Sequence, residues 1–278
     1  MRKIKIVADS SCDLFALARV DYACAPMKVI TAEREFIDNE ELDVNGMVEF
    51  LYQYKGKSKS SCPNTSDWLE AFGGADEVFC VTITSGLSGS YNSACAAKQI
   101  YEAENDGKRV YVFDTLSAGP EITLVVEKLG ECIEAGMSFE DICETVNSYM
   151  KNTGLIFMLK SLKNFANNGR VSPVVAKIVG IAGLCIVGKA SDKGTLEPKN
   201  KCRGEKHSLE KIVAELEAEG FCSGKISIGH CQNESAAVQL KKLLLGKFRD
   251  AQIEIHTLKG LCSFYAEKGG VLIGFEKA

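Results

Sequence analysis

Three segments in the first half of the chain are apolar runs that stop at hydroxyl and carboxyl side chains. They read KIKIVADS (3–10), EVFCVTITS (77–85) and RVYVFDTLS (109–117). β-Branched runs of this kind, each followed by helical periodicity, predict βα units and therefore a parallel sheet with right-handed crossovers. Because ligands of such sheets bind beyond the carboxyl ends of the strands, the polar clusters predict a binding crevice there.

The pattern changes near residue 152, which predicts two domains, residues 1–152 and 153–278. A capping box at residues 138–141 begins a helix that runs to about Asn152. The second half is predicted to contain a helix-like segment (174–183), a hairpin with its turn at 192–194, helices at 205–219 and 234–246, and strands in 225–231, 251–258 and 271–277. We therefore predict an α/β protein with two domains, a parallel sheet in the first and a mixed sheet in the second.

Two serines of the segment SKSSCPNTSDW (58–68) are candidates to face the crevice. Asn64 or Ser66 is a suitable N-cap for the amphipathic helix that follows. Ser60 and Ser61 precede that cap in a predicted loop, so their hydroxyls are free to reach the strand ends.

A glycine-rich turn, ITSGLSGSY (83–91), joins a predicted strand to a predicted helix. Such a turn gathers unpaired backbone N–H groups around one point and predicts an anion site, although Ser88 or Ser90 could equally be an ordinary N-cap. The clusters at the strand ends contain no Lys or Arg. A single carboxylate can be held by neutral donors, whereas a polyphosphate normally requires cations, so a small anion is favoured.

Composition narrows the class of protein further. The chain has 278 residues, 46% of them hydrophobic, with a net charge of −4 and no basic stripe, which argues against nucleic acid as a partner. The start, MRKIKIVADS, lacks the apolar core of a signal peptide, so we expect a cytoplasmic protein. The longest nearly apolar run, 178–188, is far shorter than the ~20 residues of a membrane span.

The metal-site and nucleotide-site motifs in the sequence are incomplete. The twelve cysteines include no CxxC pair, so we expect buried thiols and no metal site. The match to GxxxxGK at 183–189 is followed by Ala190 where a P-loop needs Ser or Thr, and no GxGxxG follows a strand. A hydrolase with Ser88 as nucleophile would need a base, for which only His230 or Asp9 is a candidate. A ligand-free interaction module is the third class of function considered.

Six segments in order resemble the DegV family over nearly the whole chain. They are ADSSCD (8–13), SSCP (60–63), ITSGLSGSYNSA (83–94), DTLSAG (114–119), LKNFANNGRVS (162–172) and CRGEKHSL (202–209). The resemblance implies an EDD or DegV-like fold that binds a long-chain fatty acid, with the carboxylate between the domains and the tail in an apolar tunnel. It also implies a carrier without catalytic groups or cofactor, which presents the acyl chain to a separate fatty acid kinase and has transient contact with a membrane surface.

Site residues follow from the resemblance position by position. Ser60 corresponds to the first carboxylate donor of the family and Ser88 to the second. The remaining predicted ligand contacts are Ser61, Ser85, Gly86, Gly89, Ser117 and Tyr265. Arg170 and Arg203 are predicted to lie near the entrance that the kinase uses. The chain departs from the family where Cys62 replaces a glutamine and where the segment around Tyr265 lacks the family's histidine, for which the Tyr265 hydroxyl would substitute.

Overall fold

The computed structural model describes residues 2–171 and 183–277. Apart from Gly183, the predicted helix-like segment 174–183 lies outside the described residues. The strands are β1 (Ile4–Asp9), β2 (Asp21–Ala25), β3 (Lys28–Ile30), β4 (Glu35–Ile37), β5 (Lys59–Ser61), β6 (Glu77–Thr82), β7 (Arg109–Asp114), β8 (Thr153–Leu159), β9 (Leu184–Ala190), β10 (Leu196–Arg203), β11 (Gly224–His230), β12 (Ala251–Thr257) and β13 (Val271–Glu276).

The helices vary from five to fifteen residues. They are α1 (Val44–Gln53), α2 (Thr65–Phe72), α3 (Ser90–Glu104), α4 (Pro120–Glu134), α5 (Phe139–Met150), α6 (Lys163–Asn167), α7 (Glu205–Ala218), α8 (Glu234–Lys247) and α9 (Gly260–Ala266), with a short 3₁₀ helix at Ser10–Cys12. Of the helices in the two described ranges, none has the length and apolarity that crossing a bilayer requires.

The first half of the chain forms a four-stranded parallel sheet. Its strand order is β2-β1-β6-β7, and every neighbouring pair is parallel. All six residues of β6 are buried, as expected for a central strand covered by helices on both faces. The predicted βα units are therefore confirmed, and the polar residues that follow β1, β6 and β7 lie at one edge of the sheet.

The second half forms a six-stranded mixed sheet of order β10-β9-β8-β13-β11-β12, in which only β11 and β12 are parallel neighbours. Residues such as Ile156 and Val187 face a core shared with α7 and α8. The predicted hairpin is the β9–β10 pair, whose turn is closed by a hydrogen bond of 2.8 Å from Ser191 N–H to Thr195 O. The predicted α/β class, with one parallel and one mixed sheet, is confirmed.

A third, antiparallel sheet of three short strands corrects the sequence prediction around Ser60. Its order is β4-β3-β5, and Ser60 pairs with Val29. The prediction placed Ser60 and Ser61 in a loop, but both belong to β5. Strands of three residues are too short to show a period-2 pattern, so they cannot be distinguished from a loop in the sequence.

Helix α4 lies between the two large sheets and contacts both. Ile122, Val125 and Val126 pack in the core of the parallel sheet. On the opposite side, a Cβ atom at Gly229 would be only 3.0 Å from Pro120 Cγ, so this glycine allows the helix to lie close to β11. The two halves of the chain therefore share a buried interface.

The twelve cysteines all fall in the described part of the chain, and all carry free thiols there. Eight of them are buried, in keeping with the expectation that they act as small apolar side chains. Among the described residues, no group of three or more His, Cys, Asp or Glu side chains is arranged to hold a metal ion.

Candidate functional site

A cavity of about 310 Å³ lies between the two halves of the chain. The first half contributes Met27, residues 60–62, Ile83, Thr84 and residues 87–89 and 116–118 to its lining. The second half contributes Leu155, Phe157, Leu159, Phe165, Arg170, Ala190, residues 194–196, Leu261, Cys262, Tyr265, Ala266 and Leu272. The walls are thus mostly apolar, and the polar side chains arrive from separate segments.

Two hydroxyls meet at one end of the cavity. The Oγ atom of Ser60 and the phenol oxygen of Tyr265 are 2.7 Å apart in a hydrogen bond in which either can be the donor. The ring of Tyr265 packs against the rings of Phe165 and Phe264, at centroid distances of 4.6 and 4.8 Å. Burial raises the pKa of Tyr265, so the phenol is protonated at neutral pH and available as a donor.

Arg170 lines the same end of the cavity. Its Nε–H donates to Leu87 O at 3.0 Å, which fixes the guanidinium beside the loop that carries Ser88. The cavity therefore includes a guanidinium, although the clusters at the strand ends contain no Lys or Arg. Arg170 follows α6 and is 83 residues from Leu87 in sequence, so clusters at the strand ends could not reveal it.

The loop between β6 and α3 is anchored by the buried carboxyl group of Asp9. Asp9 Oδ2 accepts hydrogen bonds from Ile83 N–H at 2.9 Å and from the Ser90 hydroxyl at 2.6 Å. Burial raises the pKa of Asp9, and these bonds partly oppose that effect. Ser88 and Gly89 then line the cavity, and Ser88 Oγ accepts from Ser90 N–H at 3.2 Å. The N-cap of α3 is Gly89, without a side-chain cap hydrogen bond, so the alternative that Ser88 or Ser90 is the N-cap is wrong.

Ser85 and Gly86 lie outside the cavity lining. Ser85 is exposed, and its N–H donates to Asp114 Oδ1 at 3.0 Å. Gly86 instead faces the turn of the β9–β10 hairpin, where a Cβ atom would be 2.5 Å from Lys193 O. In this structure, the glycine therefore serves a close approach of two backbones.

Polar side chains at the far end of the cavity are already paired within the protein. Thr84 Oγ1 donates to Gly194 O at 2.9 Å, and the Ser117 hydroxyl donates to the buried carboxylate of Glu121. Thr195 Oγ1 is 2.8 Å from Ser191 Oγ. Thr84 and Ser117 have each donated their only hydroxyl proton within the protein, whereas the Ser60–Tyr265 pair keeps one proton for a ligand. The end with Thr84 and Ser117 is therefore the better suited to an apolar group.

Arg203 lies outside the cavity lining. It is exposed at the last position of β10, where it pairs with Leu184 of β9. Lys201 of the same strand pairs with Ile186, and Ile186 pairs with Leu159, which lines the cavity. Arg203 is therefore two residues beyond the level of Leu159 and two strands away from it.

Within residues 2–171 and 183–277, neither of the two candidate bases, His230 and Asp9, is paired with Ser88. His230 ends β11, and its Nδ1 accepts from Asn233 N–H at 3.3 Å. None of the three histidines, all within the described residues, lines the cavity. Asp9, the other candidate base, already accepts four hydrogen bonds, including two from Ser11.

Helix α9, which carries Tyr265, is anchored by two buried carboxyl groups that were not among the predicted site residues. Asp38 accepts from Gly260 N–H at 2.7 Å and Leu261 N–H at 2.8 Å, and Asp13 accepts from Lys259 N–H at 2.8 Å. Burial raises the pKa of Asp13 to about 8 and that of Asp38 to about 6. Asp13 belongs to the segment ADSSCD (8–13), but its contact with α9 could not be predicted locally, because the partners of both aspartates are more than 200 residues away.

A largely apolar cavity with hydroxyls and one guanidinium among its lining residues is typical of proteins that bind an amphipathic anion. Residues 3–278 match the family model described as "Uncharacterised protein, DegV family". A DegV domain-containing protein of Streptococcus pneumoniae is 41% identical over 276 residues, which cover 98% of each chain. The chain belongs to the DegV family.

Two solved structures are similar over essentially the whole chain. One is a DegV family protein from Eubacterium eligens loaded with heptadecanoic acid, with 41% identity, a TM-score of 0.96, and coverage of 99% of this chain and 100% of that one. The other is the Streptococcus pneumoniae Fatty Acid Kinase (Fak) B3 protein loaded with linoleic acid, with 41% identity, a TM-score of 0.97 and full coverage of both chains.

Proposed function

We propose that this protein binds a long-chain fatty acid, with the carboxylate at the Ser60–Tyr265 end of the cavity and the acyl chain along the apolar walls. The observation that carries the proposal is the meeting of Ser60, Tyr265 and Arg170 at one end of an otherwise apolar, interdomain cavity. Two similar proteins, each 41% identical, hold heptadecanoic and linoleic acid.

The head group would be held by hydroxyls, backbone N–H groups and a guanidinium together. Ser60, Ser88 and Tyr265 supply hydroxyls, and Gly89 N–H lies at the start of α3, where the helix dipole favours a negative charge. Arg170 supplies the positive charge. Bonds from such donors to a carboxylate are stronger than bonds between neutral groups, which makes this end selective for the ionised acid.

We infer that the protein acts as a carrier that presents the carboxylate to a separate fatty acid kinase. The inference draws on the likeness to the Fatty Acid Kinase (Fak) B3 protein, and on the absence of a base beside Ser88 among the described residues. In this role the chain works in the cytoplasm and meets a membrane surface only transiently, and the exposed Arg203 is a candidate contact with the kinase.

Native mass spectrometry of the freshly purified protein tests the binding proposal. We expect a bound species with the mass of a C14–C18 fatty acid, which is released on denaturation and identified after extraction. A protein that is isolated empty and also fails to take up added palmitic or oleic acid would refute the proposal. The carrier role has a separate test, namely ATP-dependent formation of acyl phosphate by the Streptococcus pneumoniae kinase when the loaded protein is added.

A further inference from the structure

The β9–β10 hairpin contributes to the lining of the cavity, and its turn, residues 191–195, is referred to here as the closing turn. Ala190, Gly194 and Leu196 from this hairpin line the cavity, opposite Leu116 of the first half. The closing turn is attached to the first half by the hydrogen bond of 2.9 Å from Thr84 Oγ1 to Gly194 O. The wall at this end is therefore a contact between the two halves of the chain.

The contact depends on the absence of side chains at two glycines. A Cβ atom at Gly86 would be 2.5 Å from Lys193 O, and one at Gly194 would collide with Thr84 Oγ1. Gly194 also has φ +68, a conformation that other residues rarely adopt. The backbones of residues 84–86 and of the closing turn are thus so close that neither glycine leaves space for a side chain.

Beyond the closing turn lies a second groove of about 420 Å³. It shares Leu116, Leu155 and Ala190 with the cavity, so these side chains form a thin partition between the two spaces. Displacement of the closing turn would extend the cavity toward this groove.

We propose that the docking of the closing turn on Thr84 and Gly86 sets the longest acyl chain that the protein accepts. This inference rests on the proposed function, because it places the carboxylate at Ser60 and Tyr265 and the tail toward the hairpin. A chain that ends before the turn gains affinity with every added methylene, by about fourfold each, or about 0.8 kcal/mol. A longer chain must displace the turn and loses that gain.

The test is a competition series of saturated acids from C12 to C20 against one fluorescent fatty acid, with delipidated wild-type protein and Gly86→Ala. Gly86 lies outside the left-handed region, so alanine leaves its own backbone unstrained while its methyl pushes on Lys193 O. We expect the chain length of highest affinity to increase by at least one or two carbons. Gly246→Ala is the matched control, because a Cβ atom there meets no atom within 4 Å.

A second variant tests the same inference in case Gly86→Ala does not fold. Thr84→Val removes the hydrogen bond to Gly194 O, and the one that Thr84 Oγ1 accepts from Gly86 N–H, with little change in volume. The optimum should move in the same direction. An unchanged optimum in both variants, or a uniform loss of affinity at all chain lengths, would overturn the inference, since a uniform loss would indicate a head-group role for the loop. Failure of the wild type to bind any acid would instead refute the proposed function.

Discussion

At the scale of single residues, the pair formed by Ser60 and Tyr265 is the most informative contact of the site. Each hydroxyl can donate to a ligand carboxylate, and each orients the other across 205 residues of sequence. A hydrogen bond to a charged group typically contributes about 1.5–3 kcal/mol. A contribution of this size to the binding free energy is large enough to determine whether a carboxylate remains bound in the cavity.

We expect Tyr265→Phe to weaken fatty acid binding by about tenfold or more, because the phenol donor is lost. Ser60→Ala should have a similar effect, and the double variant should lose less than the sum of the two, since the hydroxyls act as one unit. Isothermal titration calorimetry with oleic acid measures the four affinities. Tyr52→Phe, at a side chain that is 69% exposed, is the control and should bind as the wild type does. Strict additivity would contradict a shared site.

Removal of the Arg170 charge should reduce the affinity for a fatty acid more than the affinity for its uncharged alcohol. Arg170→Gln removes the positive charge at the head-group end, so we expect the affinity for palmitic acid to fall by about tenfold. The affinity for hexadecanol should fall much less, because the alcohol carries no charge. Loss of the bond to Leu87 O affects both ligands equally and therefore cancels in the ratio. Competition assays measure that ratio, and an unchanged value would exclude a head-group role for the guanidinium.

At the scale of elements, helix α9 depends on carboxylates supplied by the opposite half of the chain. Asp13 and Asp38 accept the N–H groups of residues 259–261, which an isolated helix would leave unpaired. Tyr265, Leu261 and Cys262 are all carried by this helix and all line the cavity. The position of the head-group donor is thus fixed by a contact some distance from the ligand.

The stability that Asp13 contributes should depend on pH. Burial raises its pKa to about 8 from the ordinary 3.8, so the contribution is complete below about pH 4 and is lost as the pH rises through about 8. One proton corresponds to a slope of at most about 1.4 kcal/mol per pH unit. Urea unfolding between pH 4 and 8 measures the free energy of unfolding of the wild type and of Asp13→Asn. The stability of the wild type relative to the variant should be lowest at high pH.

Two features make this variant interpretable. The asparagine oxygen can still accept from Lys259 N–H, and asparagine tolerates the left-handed backbone of this position, where φ is 59°. The exposed Asp250→Asn is the control and should leave the pH profile of the wild type unchanged. A difference between wild type and Asp13→Asn that does not vary with pH would contradict the assignment.

The elements with strong local patterns could be predicted, and those without them could not. The predicted strands that became β1, β6 and β7 are apolar runs bounded by polar clusters, and the hairpin turn at 192–194 has its own local signal. Strands β3 to β5 have three residues each, too few for a period to appear.

The candidate site divides in the same way. Ser60 and Ser88 stand out because they belong to polar segments beside predicted helices, and both line the cavity. The cavity position of Arg170 and the capping role of Asp38 depend on partners 83 and more than 200 residues away, which no local pattern encodes. The apolar walls are also invisible in sequence, because core and cavity side chains have the same composition.

At the scale of the whole molecule, the cavity walls come from both halves of the chain, so a ligand should hold the halves together. At a free concentration of 100 times Kd, a fatty acid should raise the free energy of unfolding by about 2.7 kcal/mol. Differential scanning fluorimetry with and without palmitic acid measures the shift. Tyr265→Phe should show a smaller shift at the same concentration of ligand, and no shift in the wild type would contradict binding between the halves.

Hydrogen exchange should show which parts of the chain the ligand stabilises. Backbone amides of β5 and of the β9–β10 hairpin should exchange more slowly in the loaded protein, because they lie on opposite walls. Helix α8, which packs on the far face of the six-stranded sheet, should be unaffected and serves as the internal reference. Protection confined to one wall would show that the ligand does not bridge the cavity.

The capping of α9 by Asp38 has a consequence for biosynthesis. Asp38 leaves the ribosome 222 residues before Gly260, its hydrogen-bond partner. During that interval the nascent N-terminal half carries hydrated carboxylates where the finished protein has buried ones, and the wall that bears Tyr265 does not yet exist. A ribosome-bound intermediate can therefore form its parallel sheet, but the cavity wall that carries Tyr265 is complete only after residues 259–266 have been translated and docked.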